Sequence, residues 1–232
     1  MFEEDKYIYI LIFAVIIFLI FKHFVLFDNT KLKNVPFEPF AEPEQIELTD
    51  NKPFYHKVTD GTAKITPIAS YKLYGRVMSH HYRPYKLYYA SMYPYDISIG
   101  FGDFQYKEVY SKIKVKMAGT IAYTSCNGAN YKKLCEKYFK DKPSSHYFTN
   151  NHLCPANNRV KRGISKLRKK DIVYIEGYLI KFELLRKNGN FEKGVSSTSR
   201  NDEETGMRGD NGDGSCEQIY VTRVVSRHGD FH

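Results

Sequence analysis

The residues best suited to chemistry in this chain gather around one polar loop. A β-type run, D-I-V-Y-I-E-G-Y-L-I-K-F-E, opens at Asp171, and a second, C-E-Q-I-Y-V-T-R-V, opens at Cys216. Between them lies S-S-T-S-R-N-D-E-E-T-G-M-R-G-D-N-G-D-G-S. Ser196, Ser197, Arg200 and Asp202 from this loop, with Glu217 from the following strand, are predicted to form a polar cluster, and His152 is expected nearby. An arginine fork at Arg200 suits a carboxylate or phosphate, because two parallel N–H donors match two oxygens. A carboxylate pair such as Asp202 and Glu217 suits a hard cation with oxygen ligands. The same residues also fit a plainer role, an Arg200–Glu217 or Arg200–Asp202 ion pair holding the base of a hairpin.

Several chemistries are excluded by pattern. The run D-N-G-D-G-S at Asp210 lacks the alternating ligands and the closing glutamate of an EF-hand. There is no G-x-S-x-G, no H-E-x-x-H and no P-loop. Cys126, Cys135, His146, His152 and Cys154 are not at zinc-site spacings, so no metal and no cofactor are expected. His152, standing before L-C-P-A-N, reads as a turn residue bonding backbone groups. Ser145 and Ser196 have no motif that would make either a nucleophile.

These residues must be positioned by an ordered domain. The chain has 232 residues, 42% of them hydrophobic and 16% aromatic, which supports a real core and argues against disorder. Residues 7–27 are predicted to form a retained transmembrane helix, flanked by Tyr7 and Tyr9 on one side and broken near its far end by Lys22 and His23. An acidic N-terminus and no small-residue cleavage site argue against a cleaved signal peptide. Residues 28–67 are rich in proline and acid and are expected to be an extended spacer. Residues 68–232 form the expected β domain.

Within it, strands are predicted at Tyr71–Tyr82, with a bulge or sharp bend at Gly75, and at Lys112–Thr124, broken at Gly119. Residues 85–104 read as an insertion, Tyr131–Phe139 as one helical turn, and Ser145–Phe148 as a short strand before a turn through N-N-H-L-C-P-A-N-N. Val160, Ile164 and Leu167, at i, i+4 and i+7, predict a short amphipathic helix with its basic residues elsewhere. Strands at Asp171–Glu183 and Glu217–Val225 complete the pattern. A helix between the third and fourth of five glycine-bearing strands predicts a mainly β fold, an OB-like five-stranded barrel behind an N-terminal transmembrane helix. A different open barrel or a small sandwich is the alternative.

Four segments together resemble a family of uncharacterised bacterial single-pass membrane-anchored proteins. They are H-L-C-P-A-N at His152, D-I-V-Y-I-E-G-Y-L-I at Asp171, S-S-T-S-R-N-D at Ser196 and G-D-G-S-C-E-Q-I-Y-V at Gly212, preceded by the aspartate-led D-I-S-I-G-F-G at Asp96. The resemblance covers roughly the last two thirds of the chain. It implies a shared architecture and shared sites, with Cys216 a small buried residue, but no reaction. The chain departs from the pattern in a longer interval between R-N-D and G-D-G and in Lys170 before Asp171.

The expected function is a membrane-anchored binding or scaffolding module without established activity. The alternative is a metal-assisted hydrolase using Arg200, Asp202 and Glu217. The formal net charge is +9, and between Lys112 and Lys187 basic residues outnumber acidic ones several-fold with tyrosines among them. Such a face fits a nucleic acid or a glycan, anionic lipid, or plain solvation. The expected partners are membrane lipid at the N-terminal helix and a protein in a membrane complex. The expected location is the inner membrane. Lys22, Lys31 and Lys33 after the span place the domain inside, whereas the spacer and the resemblance place it on the extracytoplasmic side, which is preferred.

Overall fold

A computed structural model describes residues 7–18, 30–82, 91–118, 121–125, 128–139, 144–196 and 217–232. Residues 7–18 form a helix, α1, whose apolar side chains are exposed. Among the described residues no helix is long and apolar enough to cross a membrane. The transmembrane anchor and the single-pass inner-membrane location are therefore not supported, and the preferred side for the domain falls with them.

Eleven strands follow among the described residues. β1 (Glu44–Glu47) and β2 (Phe54–Val58) arise inside the segment read as a spacer, and β3 (Gly61–Tyr82) begins there. After a short 3₁₀ helix at Thr30–Asn34, proline disfavours further helix and leaves the chain extended, and its backbone groups pair with β3. Next come β4 (Tyr95–Gly100), the short helix α2 (Lys107–Lys112), β5 (Lys114–Ala118), β6 (Ile121–Ser125) and α3 (Gly128–Lys137). The chain closes with β7 (Phe148–Pro155), α4 (Asn158–Lys166), β8 (Ile172–Arg186), β9 (Phe191–Val195), β10 (Glu217–Ser226) and β11 (Gly229–Phe231).

The expected five-stranded barrel is corrected by this topology. Nine strands make one sheet along the path β1-β3-β4-β7-β10-β8-β9, with β2 and β11 attached, and β5 and β6 pair separately. β3 also pairs with β8, so β3, β4, β7, β10 and β8 contact one another in a cycle. The difference comes from strand length. β3 has 22 residues and β8 has 15, so both continue past the cycle and recruit β2 and β9 as further partners.

A bulge explains how β3 serves two surfaces. Pro67 lies opposite Ile180 and Ala69 opposite Leu179, leaving Ile68 as an extra residue. Side chains alternate with period two, so one extra residue exchanges the faces. Ala63 and Ile65 therefore pack with Ile180, Phe182 and Leu184, while Ala69, Tyr71 and Leu73 pack with Val173, Ile175 and Leu179. The second group is the central core, shared with Ile97, Leu153 and Val224 and closed by Val160, Ile164 and Leu167 around α4. A second bulge at Met78 turns that side chain towards an outer cluster with Phe104, Val109 and Phe148.

Three local expectations change with the structure. Gly75 is not a bulge; a Cβ there would stand 2.4 Å from the Gly100 carbonyl oxygen, so glycine permits close pairing. The 85–104 insertion contains β4, the fully buried strand Tyr95–Gly100. The N-N-H-L-C-P run is not a turn but most of β7, buried between β4 and β10.

Gly177 is the tightest point of the sheet, opposite Tyr71 on one side and Val221 on the other. A Cβ would lie 2.1 Å from the Tyr220 carbonyl oxygen, and backbone there cannot yield cheaply. Gly177→Ala is expected to destabilise by roughly 2 kcal/mol or more in urea denaturation. Gly128→Ala, with nothing within 4 Å of the added carbon, is expected to be neutral or slightly stabilising.

Candidate functional site

Two features compete for the role of functional site: a buried polar seam and an exposed basic helix. The seam follows from strand alternation. Tyr95, Ile97 and Ile99 on β4 face the central core, so Asp96 and Ser98 face outward, where outer layers bury them. Asp96 lies opposite His152 on β7, and His152 lies opposite Gln218 on β10, placing three polar side chains in one cross-strand row. His152 donates from Nδ1 to Asp96 Oδ1 at 2.5 Å. The Tyr93 ring lies 5.8 Å from the imidazole, and its hydroxyl donates to Gln218 Oε1 at 2.9 Å.

The row continues into the base of the polar loop. The Gln218 amide donates to Ser196 Oγ at 3.0 Å, and that hydroxyl donates to Glu217 Oε2 at 3.3 Å. Of the residues expected to cluster, His152, Ser196 and Glu217 are thus joined through Gln218 and Tyr93. Ser197, Arg200 and Asp202 lie outside the described residues, as do Cys126 and Cys216. Among the described residues no group of three or more His, Cys, Asp or Glu is placed to hold a metal ion. Asp96, His152, Ser196 and Glu217 are each at most 7% exposed, so the seam is buried and not an open cleft. Its chemistry is that of a satisfied polar network, binding β4, β7, β10 and the end of β9 together. Asp96, Tyr93 and Gln218 were not singled out as site residues from sequence. The available signal was an aspartate occupying an alternation slot in the otherwise apolar D-I-S-I-G.

The second feature is exposed. Asn157 caps α4, its Oδ1 accepting from the amides of Arg159 and Val160 at 2.9 Å. Val160, Gly163 and Ile164 are buried, Gly163 because a Cβ would meet the Phe231 ring at 2.7 Å. With that face fixed inward, Asn158, Lys161, Arg162 and Ser165, at i, i+3, i+4 and i+7, share another face. Arg159, Lys161, Arg162, Lys166, Arg168, Lys169 and Lys170 are all exposed. None of the seven is ion-paired with a carboxylate among the described residues. The Arg168 guanidinium donates to the Ser165 and Leu167 carbonyls, and Arg159 to that of Asp230.

Two clefts border this face and share Asn158 and Lys161. One, of about 400 Å³, is also lined by His56, Lys57, Ser91 and Asn157. The other, of about 430 Å³, is also lined by Tyr95, Arg162 and Ser165. Burial holds the Tyr95 phenol above its ordinary value, and Tyr82 beside it adds to the shift. His80 reaches the C-terminal part of α4, its Nε2 3.2 Å from the Ile164 carbonyl oxygen. Burial, above all, lowers its pKa, with Arg168 and His81 adding to the effect against that hydrogen bond and Asp171.

No family model matches the chain, and no curated protein and no solved structure matches it either.

Removing the Asp96 carboxylate leaves the buried imidazole without its Nδ1 acceptor. Asp96→Ala is expected to cost about 3 kcal/mol in chemical denaturation. Ser196→Ala, which removes one weaker donor and one acceptor, is expected to cost about 1 kcal/mol. His80 has a folded pKa below its unfolded value, so the unfolded state binds more protons between the two. Its contribution is therefore complete above the ordinary imidazole value of about 6.5 and is lost as pH falls towards the folded pKa. His80→Gln is expected to flatten the rise of stability with pH just below 6.5, measured as urea midpoints across that window.

Proposed function

We propose that this protein is a non-enzymatic binding module whose ligand is a polyanion seated on the α4 face. The observation that carries this reading is the concentration of exposed cations without a carboxylate partner on and just after α4. Arg186 pairs with Asp60 and Glu192, Arg223 with Asp230, Arg227 with Asp171, and Lys72 with Glu44. The seven cations between residues 158 and 170 have no such counterpart among the described residues. Like charges 4 Å apart in water repel by about 1 kcal/mol, so a cluster of them loses free energy that an anionic ligand restores. The bordering clefts give the ligand relief to sit in and neutral hydrogen-bonding groups at Asn158 and Ser165.

The buried seam supports this role indirectly. It fixes β7 and β10, and α4 follows β7 directly and packs against β10 and β11. The basic face is thereby held on a rigid support rather than on a loop.

Inorganic polyphosphate, which offers charge and no shape beyond its backbone, is the direct probe. The full chain is expected to bind it with an affinity falling steeply as salt rises. Lys161→Glu combined with Arg162→Glu is expected to weaken binding at least roughly tenfold without changing the thermal midpoint, since both side chains are exposed. Binding that ignores salt, or that survives the double reversal, overturns the reading.

A further inference from the structure

We infer that the polyanion is a single-stranded nucleic acid, with its phosphates on Lys161 and Arg162 and a base stacked on Tyr82. This rests on the polyanion reading and adds the aromatic neighbours of the same face. Tyr82 ends β3 and is 58% exposed, which leaves ring area open for stacking. Its ring centroid is 5.5 Å from that of Tyr95, at an interplanar angle of 54°. Tyr95 in turn is 5.6 Å from the His80 ring and lines the cleft with Asn158, Lys161, Arg162 and Ser165. Tyr82 is thus backed by Tyr95, which lines one cleft with Lys161 and Arg162.

The combination discriminates among polyanions. Every nucleobase has a π-face and every nucleotide a phosphate, so a cationic track beside an aromatic platform recognises a strand without reading its sequence. A sulfated glycan or an anionic lipid surface uses the cations but gains little from the ring. A duplex keeps its bases stacked on one another and unavailable to Tyr82. The clefts also continue one another along the helix, sharing Asn158 and Lys161, which fits an extended chain passing over α4 better than a single compact anion. Asn158 and Ser165 supply uncharged donors and acceptors within that path.

The test is fluorescence anisotropy of a labelled single strand of about 12 nucleotides, titrated with the full chain at roughly 50 mM salt. The strand is expected to bind. Tyr82→Ala should weaken it about tenfold while leaving polyphosphate binding unchanged, and Tyr82→Phe should restore it. Lys161→Glu with Arg162→Glu should weaken both ligands. Parallel titrations use a duplex of the same length, a sulfated polysaccharide, and vesicles containing phosphatidylserine. Equal or tighter binding of any of these three than of the single strand overturns the assignment, as does a Tyr82→Ala variant that binds the strand normally. If polyphosphate binds and the strand does not, the basic surface stands and the nucleic-acid assignment falls. If neither binds, both fall. Thermal melts of each variant show that the fold is intact, because Tyr82, Lys161 and Arg162 are all exposed.

Discussion

The antiparallel register between β3 and β8 is the constraint on which the rest of the molecule depends. It runs from Gly61 opposite Arg186 to Arg76 opposite Ile172, almost the full length of β8. Two long strands paired this far cannot stay on one surface, and the Ile68 bulge resolves the conflict by exchanging the faces of β3. One half of the pair then lines the central core, and the other packs Ala63, Ile65 and Phe182 against Tyr93 and Cys154. Gly177 must lack a side chain because the β10 backbone at Tyr220 and Val221 closes on it.

That register also decides how charge is used. Arg76 is consumed internally, donating to the carbonyls of Phe104, Lys170 and Gln105 and lying over the Tyr110 ring at 4.0 Å. Burial lowers its pKa, but three carbonyls and an aromatic face keep it solvated by protein. Asp171, buried at the start of β8, accepts from Arg227, His228 and the Arg168 amide. It is the acid nearest in sequence to the α4 cations, and its oxygens are already engaged. Asp171 is therefore unavailable as a counter-charge to the basic face.

The polar seam and the basic face differ in how readable they were. The amphipathic stripe of α4 was legible because Val160, Ile164 and Leu167 follow helical spacing, and the structure buries all three. The seam was not, because its members come from β4, β7 and β10 and meet only through register. His152 looked like a turn residue since N-N-H is polar; in the sheet all three side chains are buried, with Asn151 and His152 hydrogen-bonded. Ser196 and Glu217 were expected together and do meet, although through a loop whose Arg200 and Asp202 lie outside the described residues. The N-terminal span was read from apolar length alone, and among the described residues no helix is long and apolar enough to cross a membrane.

The sequence by itself determined the local preferences: β-branched and aromatic runs that pair, an apolar stripe that buries one side of α4, and a surplus of positive charge. These depend on a residue and its near neighbours, so they can be read in order along the chain. Only the tertiary structure decided which polar residues are buried partners and which cations stay free. Asp96 and His152 are 56 positions apart, and His80 and Ile164 are 84 apart. Cross-strand register and helix packing bring such residues together, and neither is encoded by local spacing.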